Sequence, residues 1–200
     1  MTDRERAFAA LGIEYAEGID QARTVAVPAT GREVRRTAKG GWEAQPHNDN
    51  YWQEFDDLLE AVRFATPPQI SVTRTGLAHL TFHGEKLASV VGARQGGQER
   101  DRWHEIAVWR TTSGQLVVGI TYRTRWQGEL SHDAAVVCAT ALDVVRSLHD
   151  YDPVAHVVGY PPDAVHAGRQ ARLLADLRLR YQVLVSQVLA VLPEAAERVS

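Results

Sequence analysis

Lysine and asparagine are almost absent from this chain: Lys occurs only at Lys39 and Lys86, and Asn only at Asn48 and Asn50. The basic side of a composition with 22 Lys and Arg against 25 Asp and Glu is therefore nearly all Arg. Scarce Lys does not match hyperthermophile usage. It fits a GC-rich coding sequence, and it also fits planar, bidentate recognition of phosphate or carboxylate, for which Arg is suited. The net charge of −3 excludes a molecule that binds polyanions over its whole surface, so any nucleic-acid role rests on a local patch. A single cysteine, Cys138, excludes an intramolecular disulfide. Set in Ala-Ala-Val-Val-Cys-Ala, it reads as a small buried hydrophobe. No apolar run reaches the ~20 residues that span a bilayer, and the opening residues, MTDRERAF, lack the apolar core of a signal peptide. The expectation is a cytoplasmic protein with no membrane partner.

Catalytic signatures are missing as well. There is no G-x-S-x-G elbow, Walker loop, dinucleotide fingerprint, zinc ribbon or H-E-x-x-H, so neither a cofactor nor a metal is expected. His79 and His83 are four apart, but on an extended strand they stand ~13 Å from one another, too far to share one ion. The doublets His132-Asp133 and His149-Asp150 are similar to those of HD-type phosphohydrolases, yet on one helix they lie roughly 25 Å apart. His47 with Asp49 suits a helix cap and turn better than a hydrolytic site. A hydrolase using His47, His79 or His104 stays open as an alternative, behind a non-enzymatic reading.

What is present describes a globular domain. With 44% hydrophobic and 24% charged residues, the 200-residue chain can bury a core and is not disordered. The patterning suggests three stretches: a helix and turn-rich arm over 1–47, an α+β core over 48–152, and a linker with a long helix over 153–200. Residues 2–11 read as a short helix capped by Thr2 or Asp3 and ended by Gly12. Residues 23–44 are turn-rich, either a short hairpin around 29–31 or an extended arm. Trp52, Phe55, Leu58, Leu59 and Val62 recur at helical spacing and predict a helix over 48–65, capped by Asn48 or Asn50 and stopped by Pro67 and Pro68. From Ile70 the period becomes two. Strands are expected over 69–74, 77–82, 86–93, 103–110 and 115–126, separated by Gly-containing turns and a polar loop at 95–100. Residues 131–149 read as a buried helix with Ser131 as N-cap. A final helix of about thirty residues starts after Asp163. The fold class is thus α+β, an antiparallel sheet of four to five strands packed by helices.

The segment 102–126 concentrates three of the five tryptophans. Strand alternation places Trp103 and Trp109 on one side of its first strand and Arg123 and Arg125 on one side of its second. Pairing Ile106 and Val108 with the apolar side of the second strand brings those four residues to one face. Such a face can stack bases and neutralise phosphate. Residues 94–126 carry six arginines against Glu99, Asp101 and Glu105. Arg32, Arg35, Arg36 and Lys39 against Glu33 form a second basic stretch. The candidate nucleic-acid contacts are Arg35, Arg36, Trp103, Trp109, Arg110, Arg123, Arg125 and Trp126, with core tryptophans and solvated arginines as the competing reading. In the last helix, Leu174, Leu177, Tyr181, Leu184, Val188 and Val191 recur at heptad spacing. They form either a seam onto the helix's own domain or a surface for a homodimer or protein partner.

The residues Phe82-His83-Gly84, Leu87, Arg102-Trp103-His104-Glu105, Val108-Trp109-Arg110-Thr111, Gly114, Val117-Val118 and Trp126-Gln127-Gly128-Glu129 resemble the central part of the EXLDI proteins, found largely on bacterial plasmids and mobile elements. The resemblance covers about a quarter of the chain. The motif that names the group is absent, Leu142-Asp143-Val144 being the nearest string. No activity comes with the resemblance, which implies a mobile-element or host-conflict setting, defence or counter-defence.

Overall fold

The computed structural model describes residues 2–16, 18–28, 32–46, 51–92, 101–159 and 164–192. The expected roles of Asn48, Asn50, His47, Asp49 and Asp163, the turn at 29–31 and the loop at 95–100 lie outside these residues. The chain divides into two compact units, residues 1–70 with 82–84 and residues 71–81 with 85–200.

The first unit begins with α1 (Asp3–Ala10), whose Thr2 and Glu5 form the reciprocal cap that satisfies two amides of the first turn. Four strands follow, β1 (Thr24–Val27), β2 (Arg32–Arg36), β3 (Trp42–Ala44) and β4 (Gln53–Phe55), antiparallel and paired in chain order. The stretch 23–44 is thus sheet rather than arm. Val25, Val27, Val34, Trp42 and Ala44 fill one face and pack with Phe8 and with Leu58, Ala61 and Val62 of α2 (Leu58–Ala65). The helix expected over 48–65 is corrected here. Gln53–Phe55 is a strand, with Phe55 opposite Trp42, and the helix starts only after Asp57. That side chain accepts from the amides of Leu59 and Glu60, leaving β4 free to take ladder bonds from β3. Arg4 bonds both Asp20 and Asp57 at 2.9 Å.

A five-stranded sheet follows in the order β5 (Gln69–Val72), β6 (Leu80–Val91), β7 (Arg102–Thr111), β8 (Leu116–Thr124) and β9 (His132–Cys138). The fold is α+β with antiparallel sheets and a long C-terminal helix, as the patterning predicts. The turn expected at His83-Gly84 does not form, and β6 runs through it. The β7–β8 hairpin closes on Gly114 at φ 83°, a left-handed conformation that glycine adopts without strain.

The second large correction is at 131–149. Residues 132–138 pair with β8 as β9, and only Ala141–Asp150 is helical, as α3. The cap is Thr140, not Ser131; it trades bonds with Asp143, its side chain accepting from the Asp143 amide. An apolar run of this length is ambiguous between buried helix and buried strand, and a vacant position beside β8 decides it. The two His-Asp doublets therefore lie on a strand and a helix, not on one helix.

One face of this sheet is the core of the second unit. Ile106, Val108, Leu116, Val118 and Ile120 pack against Val144 and Leu148 of α3 and Tyr181, Leu184, Val185 and Val188 of α4 (Ala164–Val191). Each such aliphatic side chain contributes about 1.5–3 kcal/mol by leaving water. Among the described residues no helix is long and apolar enough to cross a membrane.

Candidate binding face of the five-stranded sheet

The hairpin register pairs Trp103 with Arg123, Ile106 with Ile120, Val108 with Val118 and Trp109 with Val117. Even-numbered residues of β7 and β8 thus face the helices, and Trp103, Glu105, Trp109, Thr121, Arg123 and Arg125 share the opposite side. That side carries a hollow of about 250 Å³ lined by Ser71, Lys86, Glu105, Trp109, Gly119 and Asp133 among others. The floor depends on a missing side chain. A Cβ at Gly119 would stand 2.8 Å from the Trp109 ring, so the indole lies across the strand only because β8 carries glycine there. The Lys86 ammonium sits 5.9 Å from the Trp109 ring centroid.

Arg123 on this face is held by two acids. Arg123 lies 3.8 Å from Glu105 and 3.7 Å from Asp133. Glu105 also accepts from the Trp103 indole N–H at 2.9 Å, and Asp133 from Thr121 at 2.9 Å. The Arg125 guanidinium sits 5.8 Å from the Trp103 ring. The face is therefore a mixed, nearly charge-balanced surface with one aromatic floor, not a basic patch.

Of the other predicted residues, Trp103 shares this face and the rest lie elsewhere. Trp103 is only 8% exposed and braces the sheet. Arg110 and Trp126 have the opposite parity: Arg110 lies 3.7 Å from Glu85, and Trp126 covers the Arg102 guanidinium at 4.7 Å. Arg35 and Arg36 are on β2 of the first unit, where Arg35 stacks on Trp52 at 4.6 Å and Arg36 donates to the Asp20 carbonyl. The heptad seam is consumed by its own unit. Leu177, Tyr181, Leu184 and Val188 are buried, the last three in the core against the sheet, Leu174 is half-buried, and Val191 is exposed.

Missing from the sequence reading is a buried polar cluster under the hairpin's helix side. Arg102 and Glu129 are almost without solvent exposure, at 1% and 0%. Arg102 Nε donates to Glu129 at 2.8 and 3.1 Å and its terminal nitrogen at 2.7 Å. The Tyr122 hydroxyl and the Val158 amide donate to the same carboxylate. Burial alone would raise the Glu129 carboxyl, but the bonds from Arg102 and Tyr122 outweigh it and hold it below the ordinary range. His104, ringed by Tyr122, Tyr151 and Tyr181 at 5.2–5.9 Å, is pushed down to about 4, first by burial and then by the Arg180 charge. It is neutral at physiological pH and walled in, which suits packing. His79 is exposed, and His83 bonds the Pro67 carbonyl. Among the described residues no three His, Cys, Asp or Glu side chains are placed to hold a metal ion. The one sequence signal for this cluster was an Arg at the end of the apolar stripe Arg102, His104, Ile106, Val108; its partner, 27 positions away, carries none.

Compared with protein-family models, with curated proteins and with solved structures, the chain finds no match in any of the three.

Proposed function

We infer that the protein is a non-enzymatic accessory or regulatory protein that binds unpaired bases of single-stranded nucleic acid on the open face of the five-stranded sheet. The observation that carries this reading is the Trp109 indole laid across Gly119 in a hollow flanked by Lys86 and Arg123. A flat aromatic floor takes the face of a base, worth ~1–3 kcal/mol per stacked base. Arg123 supplies an anion partner. Glu105 and Asp133 accept hydrogen bonds, as exocyclic base amines require. The same acids disfavour a duplex, whose recognition rests on many phosphate contacts. The setting that goes with this role is the mobile-element or host-conflict context implied by the EXLDI resemblance.

The test is fluorescence anisotropy with labelled single-stranded and duplex oligonucleotides of one sequence, as DNA and as RNA. Single strands are expected to bind more tightly than duplex, with a shallow salt slope of about −1.5, since some two cations serve a single strand. Trp109→Ala should weaken binding about five- to 150-fold, the equivalent of one stacked base. Absence of binding at low salt, or equal binding by the Trp109 variant, refutes the reading.

A further inference from the structure

The five-stranded sheet ends on β9, which pairs with β8 on one side. The hydrogen-bond parity of the sheet shows which groups of β9 point away from it. Arg125 donates to the Asp101 carbonyl and Thr111 to the Gln115 carbonyl, so odd-numbered residues of β7 and β8 bond one another. Even residues of β8 then bond β9, opposite even residues of β9. The outward-pointing backbone groups of β9 are those of Asp133, Ala135 and Val137. Asp133 is already served, since its amide donates to the Thr75 hydroxyl and its carbonyl accepts from the Thr75 amide, both at 2.8 Å. Among the described residues nothing bonds the outward groups of Ala135 and Val137.

This free stretch has none of the devices that blunt a sheet edge. It is Ala134-Ala135-Val136-Val137, without charge, proline or glycine. Val136 and Val137 are 48% and 47% exposed. Two more large apolar side chains flank it: Leu130 at 84% and Leu142 at 44% exposure, each six positions from Val136. That arrangement reads the same from either end. An antiparallel copy with its two-fold axis at Val136 sets Ala135 of each chain opposite Val137 of the other, so both free residues exchange their amide and carbonyl bonds twice. In the same register Leu130 of one chain comes to the end that carries Leu142 of the other. Centring the axis on Ala135 instead spends Val137 on the already occupied Asp133, and centring it on Val137 spends Ala135 on Ala139. No like charges meet in the preferred register, because His132 and Asp133 face Thr140 and Ala139.

We propose that β9 is a homodimerisation edge, pairing antiparallel with β9 of a second copy about an axis at Val136 to give one ten-stranded sheet. The axis of such an edge pairing stands normal to the sheet, so both Trp109 hollows open on the same side. At ~4.8 Å per strand and five strand spacings the two Trp109 strands run roughly 24 Å apart. The pairing stands on the edge geometry alone and does not depend on what the hollows bind.

The test is light scattering coupled to size exclusion on the full chain over a range of concentrations, with two variants. The wild type is expected at twice its 22.2 kDa chain mass. Val136→Lys sets two ammonium groups on facing strands at a non-hydrogen-bonded pair, about 4.5 Å between Cα atoms, and should elute at the single-chain mass while still folded, with a melting temperature that no longer depends on concentration. Should that variant unfold, Val136→Cys decides: the same spacing lies within disulfide reach, so mild oxidation should give a covalent dimer on a non-reducing gel, while the wild type, with only buried Cys138, stays uncrosslinked. A wild type that is monomeric at all concentrations overturns the proposal. So does a dimer that survives Val136→Lys and fails to crosslink through Val136→Cys.

Discussion

Glu129→Ala is expected to cost the second unit about 3–5 kcal/mol. The magnitude follows from what the carboxylate accepts: three contacts from Arg102 between 2.7 and 3.1 Å, the Tyr122 hydroxyl, and the Val158 amide at 3.0 Å. Without it a guanidinium at 1% exposure keeps its charge and loses the acid that balances it. It cannot shed a proton to escape, because Arg stays protonated. Each neutral donor left behind adds a desolvation cost of about 1–3 kcal/mol. These costs overlap, so the buried-pair figure is the working estimate. Against a total stability of ~5–15 kcal/mol, that removes about a fifth or more. The assay is equilibrium urea unfolding followed by tryptophan fluorescence, with a separate transition allowed for each unit because two units need not melt together. The decisive comparison is the triple variant Arg102→Met, Glu129→Leu, Tyr122→Phe, which removes the charge, its partner and the hydroxyl together. It should lie within about 1–2 kcal/mol of wild type, since apolar replacement of a buried pair is often near neutral. A single-variant cost under about 1 kcal/mol, or a triple variant as damaged as the single, refutes the reasoning. Because the folded carboxyl titrates below its unfolded value, its contribution is fully present above about pH 4.3 and is lost as pH falls through the depressed folded value.

Gly119→Val should displace the Trp109 ring, which leaves no room for a Cβ at 2.8 Å. Stability should fall by about 1–3 kcal/mol, and oligonucleotide affinity should fall with it, read by urea unfolding and anisotropy. His104 has a folded value near 4 against 6.5 unfolded. Its contribution is therefore present above pH 6.5 and drains away between 6.5 and 4, by about 3 kcal/mol in all. His104→Phe should flatten that part of a melting-temperature profile, and an unchanged slope would contradict the assignment. Thr140→Ala should cost about 1 kcal/mol by uncapping α3, and Asp57→Ala about the same at α2, plus what Arg4 loses. Far-ultraviolet circular dichroism during thermal melting measures both.

The parts of the fold legible in the chain were those where period and chemistry agree. The outer parts of the β7–β8 hairpin alternate, and matching its apolar sides was enough to bring Trp103, Trp109, Arg123 and Arg125 to one face. The long last helix was legible from its seam, though not the seam's partner: heptad spacing is the same whether a helix lies on a second helix or on its own sheet. The failures came where two periods fitted one stretch. Trp52, Phe55, Leu58 and Leu59 sit at helical spacing, but β3 offered β4 a partner, and Asp57 caps the helix that follows. The run from Ala134 to Ala139 is apolar on every side, which a helix and a strand at a sheet edge produce alike. The Thr140-x-x-Asp143 cap was the local sign that a helix begins there and not at Ser131.

By itself the sequence determined the fold class, the strand character of the middle third, the hairpin's two faces and the absence of an intramolecular disulfide, because these follow from side-chain periodicity and residue inventory over a few neighbours. Only the tertiary structure decided that β9 is a strand, that Trp103 braces while Trp109 floors a hollow, and that Arg123 is held by Glu105 and Asp133. It alone joined Arg102 to Glu129. Those outcomes depend on which segments meet after folding: a ladder of backbone bonds overrides weak local preference, and a buried charge takes an acid the fold brings within 3 Å of it.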